Sequence, residues 1–189
     1  MSTLNIAIKS ILKCILYPPF SFIGIKMTEH QIKINFTAYD SVDELEVQDK
    51  KLCLEAIEAL KTSHSPYSKF RVGVAMRLQS GKILHASNQE NVAYPSGLCA
   101  ERVALFHWGA NHADDPIETM AVTAHTDEFE LTKPVTSCGA CLQVLAEYEK
   151  KQGCAIKMLL YCQGGAVWSA TGIESFLPFL FFEDRLNNQ

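Results

Sequence analysis

Segments with the hydrophobic pattern of a strand and segments with the pattern of a helix follow one another along most of this chain. In residues 70–78 apolar side chains occupy every second position, and the turn at 79–82 leads into a second strand through Ile83 and Leu84. These two strands predict a β-hairpin. Further on, strands are separated by helices, which predicts parallel pairing in part of the sheet and helices on both of its faces.

The other elements are predicted from the same two periodicities. A helix over about 41–63 has acidic residues at its start and apolar residues at helical spacing. Later segments are predicted, in chain order, as a helix from near Cys99 to about Asn111, a strand at 119–124, a helix from near Cys138 to Gly153, strands at 156–161 and 167–170, and an apolar helical tail at 173–186.

The first 26 residues differ in composition from the rest. They hold three lysines and no acid, whereas residues 27–189 carry all 21 acidic residues and a net charge of −7. Lys9, Lys13 and the pair Pro18 and Pro19 interrupt the apolar stretch, so no span of about 20 apolar residues exists there. Isoleucines at helical spacing in this segment are also compatible with an amphipathic helix that lies on a membrane surface. We interpret residues 1–26 as a dispensable leader or a translation-start artefact, and residues 27–189 as a single domain.

Charge and cysteine content restrict the class of function. The net charge of −4 argues against a protein that binds nucleic acid by broad neutralisation of the phosphate backbone. Seven cysteines without the dense spacing of a secreted scaffold fit a reducing compartment, which predicts a cytoplasmic protein without stable membrane association.

Two predicted helices begin at cysteines. Cys138 and Cys141 form a Cys-x-x-Cys pair, which by itself is equally typical of a zinc site, a redox dithiol or two small buried side chains. Cys99 opens the other helix and is followed by Glu101 and Arg102. If the two helix starts face each other, three thiolates leave one tetrahedral zinc position for water, as in catalytic sites.

Three motifs in order resemble those of the small homotetrameric cytidine deaminases: PYSKFRVGV at 66–74, NQENVAYPSGLCAER at 88–102 and CGACLQ at 138–143. The likeness extends from about residue 45 to the C-terminal region. It implies a three-layer α/β/α cytidine deaminase-like fold with a mixed, mostly five-stranded sheet. It also implies a homotetramer.

The resemblance assigns the residues of a metal centre. Cys99, Cys138 and Cys141 match the ligands of one Zn²⁺ per chain, and Glu101 matches the catalytic residue that shuttles protons. Arg102 is placed to donate a hydrogen bond to a thiolate ligand. In isolation, Glu101 would be typical of an acid favoured at a helix start, and Arg102 of a surface cation.

The resemblance also assigns substrate contacts. Asn88 and Glu90 match a pair that binds the ribose 3′-hydroxyl, and Phe70 matches an aromatic residue that packs on the pyrimidine. Tyr94 and the tail around Phe181 match regions that reach toward a neighbouring subunit's site. Without the motif, Asn88 and Glu90 are ordinary loop residues and Phe70 is an ordinary core strand residue.

Two positions depart from the family pattern. Ser137 stands where a proline usually precedes the Cys-x-x-Cys pair, and Leu142 stands where an arginine is usual. We expect Ser137 to loosen the helix entry, and Leu142 to remove a surface or interface cation. Neither change removes a predicted ligand or the predicted acid.

The resulting hypothesis is hydrolytic deamination of cytidine and deoxycytidine to uridine and deoxyuridine in pyrimidine salvage, by a zinc-activated water. Another nucleoside-like amine, as used by the blasticidin deaminases, is a close alternative. A structural zinc module and a redox dithiol are alternatives from other classes. Polynucleotide editing is disfavoured by the negative charge of residues 27–189.

Overall fold

The structure is a computed structural model that describes residues 28–183. The chain divides into two compact units, Met1–Ile32 and Lys33–Gln189, and every element given below belongs to the second unit. The leader predicted at 1–26 and its amphipathic stretch lie outside the described residues. Within the described residues, no helix has the length and apolar content needed to cross a membrane.

The centre of the described unit is a mixed sheet of six strands. They are β1 (Thr37–Tyr39), β2 (Arg71–Leu78), β3 (Ile83–Ser87), β4 (Ile117–His125), β5 (Lys157–Tyr161) and β6 (Val167–Thr171), in the spatial order β1-β6-β5-β4-β2-β3. The β4–β5 pair is parallel and the other neighbours are antiparallel, including the predicted β2–β3 hairpin. The family resemblance implied a mostly five-stranded sheet, one strand fewer than the structure has. The unforeseen β1 has three residues, too few to show a period of two.

Within residues 28–183, three α-helices cover the two faces of the sheet, which confirms the three-layer prediction. Helix α1 (Val47–Ala59) lies on one face, where Leu52, Cys53 and Ala56 are buried against strand residues. Helices α2 (Ala100–Asn111) and α3 (Gly139–Gln152) lie on the other face over the larger core, which includes the fully buried Trp108. The strands carry buried apolar residues on both faces of the sheet, so both faces must be covered.

Both site-bearing helices begin where the sequence predicted. Cys99 is the N-cap residue of α2 and Cys138 is the N-cap residue of α3. Helix α3 ends at Gly153, whose φ of 73° is the left-handed conformation that glycine adopts without steric cost. The N–H of Gly153 donates to the carbonyl oxygens of Glu149 and Lys150, which satisfies acceptors at the helix end.

The helical tail predicted at 173–186 is wrong for the part that the structure describes. Up to residue 183 this segment contains a single 3₁₀ turn, Ile173–Ser175. Pro178 lacks a backbone N–H and disfavours helical geometry at Leu177, so the apolar content does not continue as a helix. The tail instead contacts α3 through Gln143. The side-chain amide of Gln143 donates to the carbonyl oxygen of Phe181 (2.8 Å) and accepts from the N–H of Phe181 (3.2 Å).

Candidate active site

A cavity of about 730 Å³ lies between the loop before β2, the segment after β3 and the starts of α2 and α3. Of the nine residues predicted for the site, eight line this cavity: Phe70, Asn88, Glu90, Tyr94, Cys99, Glu101, Arg102 and Cys138. The ninth, Cys141, is buried beside Cys138. The fold therefore brings together residues that are up to about 70 positions apart in the sequence.

The three cysteines form one cluster. Their Sγ atoms all lie within 4.8 Å of one another, with 3.4 Å between Cys138 and Cys141 and 3.9 Å between Cys99 and Cys138. A tetrahedral zinc ion with Zn–S bonds near 2.3 Å separates its sulfur ligands by about 3.8 Å. The spacing of the three sulfurs and their soft donor character therefore fit zinc. In the described part of the chain, no other group of three or more potential ligands from His, Cys, Asp and Glu was found.

The electrostatics of the cluster favour a thiolate at Cys99. A hydrogen bond from the Cys141 thiol, with further help from Arg102, lowers the pKa of Cys99 to about 6. The pKa of Cys141 is raised, first because its thiol donates that hydrogen bond and then because it is buried. Negative charge on sulfur is thus stabilised at the start of α2, where the free backbone N–H groups also favour it.

Arg102 lies against this cluster. Burial opposes its charged form, but hydrogen bonding and Coulombic attraction to Cys99 outweigh burial and raise its pKa. Its Nε is buried and has no hydrogen-bond partner among the described residues. A guanidinium held beside Cys99 and Cys141 offsets part of the negative charge that three thiolates would bring to a dication.

Glu101 occupies the first turn of α2 next to the N-cap cysteine. It is buried and its side chain lines the cavity. Its charge opposes ionisation of both Cys99 and Cys141, so its carboxylate is within electrostatic reach of the cluster. A carboxylate in this position can exchange protons with a molecule bound between the sulfurs and the cavity.

Asn88 is tied into the walls of the cavity. Its Oδ1 accepts from the hydroxyl of Ser63 (2.6 Å) and from the N–H of Val72 (2.8 Å), and its Nδ2 donates to the carbonyl oxygen of Phe70 (2.9 Å). The side chain thus joins the segment after α1 to the start of β2. The sequence predicted only a ligand contact for Asn88 and gave no signal for these three bonds.

Glu90 is held in a similar way by the loop before β2. Its carboxylate accepts from the N–H groups of Tyr67 (2.9 Å) and Ser68 (3.2 Å) and from the Ser68 hydroxyl. Burial would raise the pKa of Glu90, but these hydrogen bonds outweigh burial and lower it. The carboxylate is therefore charged at neutral pH and fixes the loop that borders the cavity.

Aromatic rings line or flank the cavity, and two of them, Tyr67 and Phe129, were missed by sequence reasoning. Tyr67 lines the cavity and packs edge to face on Tyr94, with ring centroids 5.8 Å apart. Phe129 stacks on Phe70 at 6.3 Å. Tyr67 lies inside the first motif, so its position could have been inferred. Phe129 lies in the connection between β4 and α3, where the sequence pattern gives no signal.

The two departures from the family pattern occupy different environments. The hydroxyl oxygen of Ser137 is buried without a hydrogen-bond partner among the described residues. Leu142 was expected to remove a surface or interface cation, and that effect on charge stays a prediction. Its own side chain is 8% exposed and packs in the larger core, because α3 turns this position toward the sheet.

Comparison with known proteins identifies relatives. Residues 24–133 match the family model described as the cytidine and deoxycytidylate deaminase zinc-binding region. The cytidine deaminase of Halalkalibacterium halodurans is 41% identical over 96 residues, which are 51% of this chain and 68% of that protein. That of Sporosarcina psychrophila is 40% identical over 99 residues, 52% of this chain and 68% of that protein.

The fold is also similar to a solved structure. The crystal structure of cytidine deaminase from Burkholderia pseudomallei superposes with a TM-score of 0.60 at 33% sequence identity. The match covers 69% of this chain and 97% of that chain. Almost the whole of that protein is thus represented in the present fold.

Proposed function

This chain belongs to the cytidine and deoxycytidylate deaminase family, and on that premise we propose that it deaminates cytidine and deoxycytidine hydrolytically. The products are uridine or deoxyuridine and ammonia, which is a reaction of pyrimidine salvage. The observation that carries this proposal is the cluster of three sulfurs with Glu101 beside it, at a cavity in the volume range of small-molecule sites.

The proposed metal ligands are Cys99, Cys138 and Cys141, holding one Zn²⁺ per chain. Zinc, when bound, supplies a Lewis acid that lowers the pKa of a water molecule. This water then loses a proton more readily and can attack C4 of the cytosine ring. Arg102 offsets part of the charge of the three thiolates, because its guanidinium is held against Cys99 and Cys141.

Glu101 is the proposed catalytic residue. Its carboxylate takes one proton from the attacking water and delivers it to N3 of the ring, then takes the second proton from the hydroxyl added at C4 and delivers it to the departing amine. A single carboxylate can serve each step in turn because it alternates between its charged and protonated forms. The burial of Glu101 beside the cavity supports this role, since it excludes bulk water from the proton transfers.

The cavity walls support a nucleoside as substrate. Phe70 and Tyr94 offer aromatic surface for the base, and Asn88 and Glu90 are the proposed partners of the ribose 3′-hydroxyl. Asn88 uses one of its two amide N–H groups on Phe70, and the other is the proposed donor to the sugar. Glu90 accepts three hydrogen bonds from the chain, and a carboxylate has room for a fourth from a hydroxyl.

The test is deamination of cytidine by the purified protein, followed by ultraviolet absorbance, with zinc determined on the same sample. We expect turnover with about one zinc per chain. Glu101→Gln should lower kcat by roughly 10²- to 10⁴-fold and leave zinc bound, because it removes the proton carrier only. Glu147→Gln, an exposed position on α3, is the matched control and should keep the wild-type rate.

Two results would overturn the proposal. A Glu101→Gln variant with the wild-type rate would exclude the proton-transfer role. A zinc-loaded wild type that does not turn over cytidine or deoxycytidine would exclude these substrates, and other nucleoside-like amines would then be assayed with the same protein.

The assembly and location are also proposals. We propose a homotetramer in a reducing compartment such as the cytoplasm. Exposed aromatic rings support association, since Tyr94, Phe179 and Phe181 are 75%, 84% and 71% exposed in the isolated chain. Six cysteines in the described residues are free thiols, which supports a reducing environment.

A further inference from the structure

Phe129 is a large ring on an exposed loop, yet it has one defined partner. It is 58% exposed and does not line the cavity. Its ring is stacked on that of Phe70, with centroids 6.3 Å apart and planes inclined by 26°. Phe70 does line the cavity. The two rings thus form a layer, with Phe129 outside and Phe70 facing the site.

We propose that Phe129 is a positioning residue that holds the Phe70 ring in the orientation in which it receives the pyrimidine. The inference rests on the proposed function, because Phe70 acts on the base only if the substrate is a pyrimidine nucleoside. Phe129 itself does not touch the substrate. Its effect reaches the reaction through Phe70 alone.

The main chain of Phe70 is fixed, but its ring is not fixed by the same contacts. The N–H of Phe70 donates to the Ser68 hydroxyl (3.0 Å), and its carbonyl oxygen accepts from Asn88 Nδ2 (2.9 Å). The preceding Lys69 has a φ of 57°, a conformation that few non-glycine residues adopt. These contacts define where the side chain starts. The torsions of the half-buried ring depend on what packs against it, and Phe129 packs against one side.

The loop that carries Phe129 is anchored on the same strand. Asp127 accepts from Arg71 Nη2 (2.8 Å), so two consecutive residues, Phe70 and Arg71, are both contacted by this loop. Asp127 is also 3.0 Å from His125 Nε2. Downstream, the carbonyl oxygen of Leu131 accepts from the Cys162 thiol (3.1 Å). With anchors on both sides of it, Phe129 has little freedom to leave Phe70.

The expected size of the effect follows from the ordering of one aromatic side chain. If Phe129 is removed, the substrate must order the Phe70 ring when it binds. The cost of ordering one side chain corresponds to about a 2- to 12-fold weaker affinity. The chemical step is unchanged, because Phe70 lies on the base and the proton transfers belong to Glu101.

The experiment compares kinetic constants for cytidine at matched zinc content. We expect Phe129→Ala to raise KM about 2- to 12-fold with kcat within about 2-fold of wild type, and Phe129→Tyr to restore KM. The matched control is Phe36→Ala. Phe36 is 59% exposed and 5.7 Å from the ring of Trp168, but it does not line the cavity, so KM should not change.

A double-mutant cycle tests whether Phe129 acts through Phe70. In a Phe70→Ala background, adding Phe129→Ala should have no further effect on KM. An unchanged KM in Phe129→Ala, or an equal rise in both backgrounds, would overturn the positioning role while wild-type turnover leaves the proposed function intact. A wild type without deaminase activity on cytidine would overturn the proposed function and this inference with it.

Discussion

Asn88 shows how a residue predicted for ligand binding can also hold the fold together. Its three hydrogen bonds connect Ser63 to Phe70 and Val72, and its side chain is mostly buried. Loss of the carboxamide would take this partner from partly buried groups of Phe70 and Val72, and a polar group left unpaired away from water costs more than the net value of one hydrogen bond. Activity alone therefore cannot separate the two contributions of this residue.

We expect Asn88→Ala to lower the free energy of unfolding by about 2–4 kcal/mol, because three hydrogen bonds in a partly buried environment are lost together. Urea unfolding at a fixed protein concentration measures this. Asn111→Ala, at an exposed position at the end of α2, is the matched control and should change stability by less than about 1 kcal/mol. Equal effects of the two variants would show that the Asn88 contacts do not stabilise the fold.

The hydrogen bonds of Glu90 predict how its contribution to stability depends on pH. Burial works against its charged form, but hydrogen bonds from Ser68 and Tyr67 outweigh burial and lower its pKa below the ordinary 4.5. A lowered pKa contributes stability that is fully present above about 4.5 and is lost as the pH falls through the folded-state value. The difference in melting temperature between wild type and Glu90→Gln should thus be constant from about pH 6 to 8 and shrink below about 4.5. A difference that grows in acid would contradict this assignment.

Helix α1 approaches the sheet most closely at Gly73. A Cβ atom at this position would lie 2.2 Å from the carbonyl oxygen of Ala56, and backbone cannot move aside as a flexible side chain can. Gly139, in the first turn of α3, has open space where its Cβ would be. The two glycines therefore form a matched pair: a side chain would clash at Gly73 but would find open space at Gly139.

We expect Gly73→Ala to destabilise the protein by about 3 kcal/mol or more, since it must push α1 away from β2. Gly139→Ala should be neutral or slightly stabilising, because alanine favours helix without a clash. Thermal or urea unfolding of both variants checks the pair. A Gly73→Ala protein as stable as wild type would mean that α1 can shift without loss of packing.

The predicted elements differ in how well local sequence described them. Helices α2 and α3 begin at Cys99 and Cys138 and strand β2 runs through 71–78, close to prediction, because periodicity and capping are local properties. The tail at 173–183 was mispredicted because its apolar content was given more weight than the break at Pro178. Strand β1 was missed because three residues pair with β6 only once that edge exists.

At the scale of the whole molecule, the exposed aromatic rings predict association. We expect sedimentation equilibrium at micromolar concentration to give about four times the chain mass of 21.1 kDa. Phe181→Asp should weaken the assembly, because its ring is exposed and its main chain is held on α3 by Gln143. Val47→Asp, at the exposed start of α1, should not weaken it. A monomeric wild type would contradict the proposed tetramer.

The sequence by itself determined the order of helices α1 to α3 and strands β2 to β6, the trio of cysteines and the acid beside Cys99, because periodicity, helix starts and motif spacing are properties of short segments. Only the tertiary structure decided that the sulfurs of Cys99 and Cys138 lie 3.9 Å apart, that Asn88 and Glu90 are bound to their own chain, and that Phe129 backs Phe70. These features join residues that are distant along the chain. Which residues meet depends on how the layers of the fold pack, and no local sequence pattern contains that information.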